Sequence, residues 1–331
     1  MLPKENRPII QVQHFTAGYD GSVVIDDISF EIYRGEVFAI LGGSGSGKST
    51  LLKHMIGLYQ PAAGHIFIGG KDIVTAEGEE RTNLLKSIGV TYQMGALFGS
   101  MTLLENVRLP LEEYTALPSD AMDLIARMKL KLVGLEPFLD YMPSELSGGM
   151  QKRAAIARAM ALDPHILFLD EPSAGLDPIT SAELDRLILD LARNLAITFV
   201  IVTHELSSVY TIADRVIMLD KEVKKIVATG RPQELREHAA NPWVRQFLNP
   251  GASAETASTR SRSVPASSSR TGAAVTRSPS VAKRFFASRV RPISERPILS
   301  VERRTSASDS ASGAIRAGPS PRRARRIVAR S

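Results

Sequence analysis

The feature that most restricts this chain is the run Gly42 to Thr50, GGSGSGKST, entered from EVFAIL and left through LLKHMIGL. The entry is an apolar run of strand length and the exit reads as a helix, so the glycines must turn a buried strand into a helix start. Glycine density at such a junction lets backbone N–H groups converge on an anion, and the positive end of the helix points at the same place. The spacing G-x-x-x-x-G-K-[ST] is that of a phosphate cradle. Gly42, Gly43, Ser44, Gly45, Ser46 and Gly47 form the loop, Lys48 supplies a point charge for the β- and γ-phosphates, and Ser49, beside Thr50, offers a hydroxyl to Mg²⁺. A nucleoside triphosphate with its metal is the expected ligand.

The rest of the pattern fits an α/β core. Residues 9–41 alternate short apolar runs with turns, GHIFIGGKDI and IGVTYQ read as further strands, and the spacing from Met101 to Ala161 is helical. HILFLD and ITFVIVTH flank the amphipathic SAELDRLILDLARNL, the strand, helix, strand order that parallel pairing requires. After WVRQFLNPG the composition shifts to Ser, Arg, Ala and Pro. The expected organisation is therefore a folded domain over 1–250, with a helical part over about 95–162, and a disordered tail over 251–331.

Charge divides at the same point. Seventeen of the 41 Lys and Arg follow Pro250, against four acids, which leaves the tail at +13 and residues 1–250 at −7. The basic excess thus belongs to the tail, and the domain itself carries no case for nucleic acid. There are no cysteines, which excludes disulfides and thiolate metal sites. No run of 18 apolar residues occurs, and the first fifteen residues have no apolar core like that of a signal peptide.

A metal-bound triphosphate needs a second carboxylate and a group that positions water. ILFLDEP offers both, with Asp170 as a metal holder at a strand end and Glu171 as candidate general base. His204 follows the strand TFVIVT and can reach a γ-phosphate if that strand ends on the same sheet edge. Gln93 closes IGVTYQ in the same kind of position, where its amide can meet Mg²⁺ or the attacking water. LSGGMQKR reads as a helix start capped by Ser147, with Gly148 and Gly149 leaving the backbone open. Two readings of it stand: an ordinary capped helix with a glycine turn, or an anion site that closes on the nucleotide of a second copy.

GGSGSGKST, Gln93, LSGGMQ, ILFLDEP, SAGLDP and His204, in this order, resemble the motif set of ATP-binding-cassette ATPases over roughly residues 9–248. The resemblance implies a P-loop NTPase fold with a mixed-sheet core, an antiparallel β subdomain and an inserted helical subdomain. It implies an ATP-closed head-to-tail homodimer in which Ser147, Gly148 and Gly149 face the partner's γ-phosphate, Asp177 lies at the seam and Tyr19 stacks on adenine. YQMGALFGSMTLLENV, YMPSELSGGMQKRAAIARAMALDP and the closing VRQFL are similar to the Mla-type branch. That branch implies phospholipid transport between inner and outer membranes in Gram-negative bacteria, peripheral placement on the cytoplasmic side of the inner membrane, and three partners. These are an integral-membrane permease, a STAS-domain protein and an anchored lipid-binding substrate-binding protein. A cassette for a polar solute and a non-transport cassette acting on nucleic acid are the competing readings. The tail departs from the branch, whose chains end in a short extension after VRQFL.

Overall fold

The computed structural model describes residues 7–19 and 22–249; the expected tail over 251–331 lies outside them. The described part opens with two 12-residue strands, β1 (Pro8–Tyr19) and β2 (Ser22–Tyr33), paired antiparallel. Then β3 (Val37–Gly42), buried at every residue, leads into helix α1 (Lys48–Met55). Next come β4 (Ala63–Ile68), β5 (Lys71–Asp72), α2 (Gly78–Lys86) and β6 (Ile88–Thr91). Between β6 and the next strand lie α3 (Leu103–Tyr114), α4 (Ser119–Leu132) and α5 (Gly148–Ala159). The chain continues through β7 (Ile166–Asp170), α6 (Pro178–Leu195), β8 (Thr198–Val202) and α7 (Leu206–Ile212). The described part closes with β9 (Arg215–Leu219), β10 (Ile226–Gly230), α8 (Pro232–His238) and α9 (Pro242–Leu248).

Two sheets result. The smaller has the order β2-β1-β4-β5 and is antiparallel; the larger has the order β10-β9-β3-β8-β7-β6. Strands β9, β3, β8, β7 and β6 are parallel, with β10 antiparallel at one edge. Central strands of such a sheet face helices or another sheet on both sides, which is why β3, β7 and β8 are near-continuous apolar runs. Alternate residues divide between two cores. Phe168, Val200 and Val202 face the core under the small sheet, while Leu167, Leu169, Phe199 and Ile201 face the helical side. The expected α/β fold, with a mixed sheet, an antiparallel β layer and an inserted helical part, is what is found.

One contact sets α5 on the sheet, and another fixes the turn into α3. A side chain at Gly89 would place its Cβ 2.2 Å from the Ala159 carbonyl oxygen, so the end of α5 lies directly on β6. Asn106 of α3, fully buried, accepts from the Phe98 N–H at 2.8 Å and donates to the carbonyls of Phe98, Met101 and Thr102. One amide thereby meets four backbone groups of the turn that enters α3. α3 itself starts on a Thr102–Glu105 capping box.

Candidate functional site

Sheet order assembles the site. β3, β8, β7 and β6 are neighbours and run the same way, so their carboxyl ends share one edge. The phosphate loop leaves β3, His204 follows β8, Asp170 ends β7 with Glu171 next, and Gln93 lies two residues beyond β6.

In the loop, Gly42, Gly45 and Gly47 have φ of 150°, 77° and 95°. At Gly42 a Cβ would come within 2.4 Å of the Leu219 carbonyl, so only glycine fits. Gly43 and Gly45 face open space, Ser44 and Ser49 are exposed, and no side chain caps α1. The first N–H groups of α1 are therefore left for a ligand. Lys48 Nζ donates to the carbonyls of Gly42 at 2.9 Å and Gly43 at 3.1 Å. Burial pushes its pKa down, and the carboxylates of Glu171 and Asp170 pull it back up. Ser46 Oγ is buried without a partner. Tyr19, 44% exposed, donates to Thr50 Oγ1 at 3.4 Å and meets Tyr59 edge to face.

Asp170 Oδ1 and Glu171 Oε2 are also buried, without hydrogen-bond partners among the described residues. Burial raises the Asp170 carboxyl pKa, Glu171 raises it further, and Lys53, Lys48 and Lys152 oppose both. Two orphaned carboxylate oxygens beside an ammonium and an exposed serine hydroxyl form a donor set suited to a hard cation that keeps most of its water and phosphate ligands. Glu171 has φ 47°, a left-handed backbone held by its N–H to the Val202 carbonyl at 2.8 Å. His204 Nδ1 lies 2.8 Å from Glu171 Oε1.

The second group gathers at the starts of α5 and α6. Ser147 Oγ accepts from the Met150 N–H at 3.3 Å, and Gly148 is exposed beside it. Gly149 is buried, and a Cβ there would lie 2.3 Å from Thr180 Cγ2. Asp177 caps α6, its Oδ1 accepting from the N–H groups of Ile179 and Thr180 and its Oδ2 from Thr180 Oγ1 at 2.5 Å. The Thr180 hydroxyl, then the backbone donors, hold its carboxyl below the usual range. Asp177 and the glycine pair are thus one unit joined through Thr180.

The chain brings the loop, Asp170, Glu171 and His204 together, with Tyr19 on Thr50. It leaves the Gln93 side chain exposed and holds that residue by its backbone. Residues that the sequence reading did not single out are Lys152, whose Nζ donates to the carbonyls of Gln93 and Glu171, and Arg158, which donates to the Ala96 carbonyl at 2.6 Å. Their only sequence signal is the spacing 152, 155, 158, one face of α5. Asn106 carried none. Among the described residues, no helix is long and apolar enough to cross a membrane.

The family model for the ABC transporter domain matches residues 25–174. The probable ribonucleotide transport ATP-binding protein mkl of Mycobacterium leprae is 42% identical over 240 residues, 72% of this chain and 68% of that protein. The intermembrane phospholipid transport system ATP-binding protein MlaF of Escherichia coli K12 is 42% identical over 235 residues, 71% of this chain and 86% of MlaF. Among solved structures, the dimeric post-hydrolysis state of the ATP-binding cassette MJ0796 bound to ADP and Pi has a TM-score of 0.61 at 30% identity, over 67% of this chain and 98% of that one. With the nucleotide cradle, the strand-end carboxylates and these likenesses agreeing, the chain belongs to the ATP-binding subunits of ABC transporters, ATPases that couple ATP hydrolysis to transport.

Proposed function

We propose that this chain powers phospholipid transport between the inner and outer membranes of a Gram-negative envelope. It sits as a homodimer on the cytoplasmic side of the inner membrane, bound to an integral permease. The observation that carries the lipid reading is the 42% identity to MlaF over 86% of that protein's length. The ribonucleotide reading that the name of mkl suggests has equal identity but spans less of its relative. A STAS-domain protein and an anchored lipid-binding protein complete the proposed assembly; nucleic acid has no role in it, in keeping with the acidic balance of residues 1–250.

In this reading the N–H groups of the Gly42–Gly47 loop and of α1 hold the phosphates of ATP, and Lys48 exchanges its two carbonyls for phosphate oxygens. Ser49 and Asp170 would hold Mg²⁺, with Gln93 placed to reach it or the attacking water, and the ion would supply charge neutralisation to the phosphates. Glu171 accepts the proton of the attacking water, and His204 holds its Oε1 so that Oε2 stays turned into the site. Tyr19 stacks on adenine with its exposed face. Ser147, Gly148 and Gly149 close on the partner's γ-phosphate, and Asp177 lies at the seam beside Ile179, an aliphatic side chain left 75% exposed.

The permease is proposed to seat against the loop after β6. Phe98 is half exposed there, with the Arg158 guanidinium 5.7 Å from its ring centre. A cavity of about 320 Å³ adjoins it, lined by Leu85, Lys86, Pro110, Tyr114 and Arg158 among others. The deciding experiment reconstitutes the chain with its permease in vesicles and follows ATP-dependent transfer of fluorescent phospholipid to acceptor vesicles. Transfer abolished by Lys48→Ala is expected. ATP-driven uptake of labelled ribonucleotide without lipid transfer would overturn the lipid assignment.

A further inference from the structure

We propose that Lys152 is a positioning residue of the hydrolytic site, its ammonium tying the backbone of Gln93 to that of Glu171 so that the loop after β6 and the proton-accepting carboxylate keep one relative position. The proposal rests on the reading of Glu171 given above. Lys152 projects from the second turn of α5, half buried, and both its bonds go to main-chain carbonyls: Gln93 O, and Glu171 O at 3.3 Å. Among the described residues it has no ion-pair partner within salt-bridge distance, so it works as a strut between two peptide groups. Asp170 and Glu171 nonetheless supply the field that favours its charge, against the burial that lowers its pKa.

The rest of α5 extends this tie. Three residues on, Ala155 supports Gly95, where an added Cβ would lie 3.6 Å from that of Ala155, and three further on Arg158 takes the Ala96 carbonyl. The segment 93–96 is thus laid along one helix face, and Lys152 is the point at which that face also touches the end of β7. Its second carbonyl belongs to a residue in a left-handed backbone conformation, which costs a non-glycine residue free energy and persists only where the surroundings hold it. The Val202 carbonyl holds Glu171 on its N–H side. Lys152 and the Ala174 N–H, at 3.3 and 3.2 Å, hold it on the carbonyl side. Without that strut the Gln93 carbonyl loses its donor and the Glu171 carbonyl is left with the Ala174 N–H at 3.2 Å, so the peptide after Glu171 is freed to relax, carrying the carboxylate out of line.

The test measures ATP turnover by the full chain in its transporter complex for Lys152→Met, Lys152→Gln and Lys152→Arg, with Glu171→Gln as reference. Lys152→Met should lower kcat by about tenfold to a hundredfold, as small misplacements of reacting groups do, with KM for ATP within about twofold because the cradle is untouched. Lys152→Arg, which keeps a long cationic donor, should restore most of the loss. Amide exchange over 93–98 should quicken in Lys152→Met and not in Lys152→Arg. Lys152→Gln carries the same expectation should the Met variant fail to fold. Wild-type kcat in the folded Met or Gln variant, or a loss that falls on KM instead, overturns the role. Unchanged turnover in Glu171→Gln overturns the underlying site reading as well, whereas a Glu171→Gln loss beside unaltered Lys152→Met overturns only the strut.

Discussion

At the scale of single residues, the proposed chemistry turns on Glu171 and its neighbours. Glu171→Gln should leave ATP binding intact and slow hydrolysis by about 10² or more, the contribution of a placed base, as read by single-turnover assay beside nucleotide binding. Asp185 makes a separate prediction. It is 5% exposed on α6, facing a small cavity whose lining includes Ser173, Thr203 and Ser208 and no second ionisable group. Burial raises its pKa, opposed by the Ser208 hydroxyl. A carboxyl that binds its proton more tightly folded than unfolded contributes stability below its unfolded value near 4, and loses it as pH rises through the folded value. Asp185→Asn should therefore raise Tm more at pH 8 than at pH 4, each kcal/mol appearing as about 2–4 °C in thermal melts. The proposed site residues stand out in the sequence because phosphate and metal chemistry demands particular side chains at fixed spacing. Lys152 and Asn106 do not, since both serve main-chain carbonyls, which any sequence offers.

At the scale of elements, the meeting of α5 with α6 is a tight constraint. Gly149→Ala would drive a methyl into Thr180 Cγ2, and Thr180 cannot swing aside because its hydroxyl is bound to Asp177. The substitution should destabilise by about 1–3 kcal/mol, the usual range for overpacking. Adding Thr180→Ser removes the obstructing methyl and keeps the hydroxyl, so the double variant should recover most of the loss in chemical denaturation, a coupling that a double-mutant cycle reads directly. Asn106→Leu should cost about 2–4 kcal/mol, since it strips donors from three carbonyls and an acceptor from one N–H at once. β3, β7 and β8 were legible as apolar runs, and α3 to α6 by their periodicity. The elements after His204 were not assigned from sequence: α7, α8 and α9 have seven residues each, too few turns for a period to declare itself, and β9 and β10 have five.

At the scale of the whole molecule, the proposed pairing predicts complementation. Ser147→Arg alone and Lys48→Ala alone should each be inactive. Mixed in equal amounts, they should regain roughly a quarter of wild-type sites, because random pairing makes half the dimers mixed and each mixed dimer has one intact composite site. Recovery of nothing beyond the two parents would place Ser147 in its own chain's chemistry. Strand order was not legible, although it is what makes β3, β8, β7 and β6 neighbours, because pairing between distant segments leaves no local trace. The contacts along α5 have a mechanical consequence. A helix of 12 residues is about 18 Å long, so a tilt of 5° about one end displaces the other by roughly 1.5 Å. Nudging the Ala96 carbonyl near the C-terminal end of this rod would swing the Ser147 end, and with it the start of α6 joined through Thr180, by a stroke large enough to make or break a phosphate contact across the proposed dimer, with no need for any element to unfold.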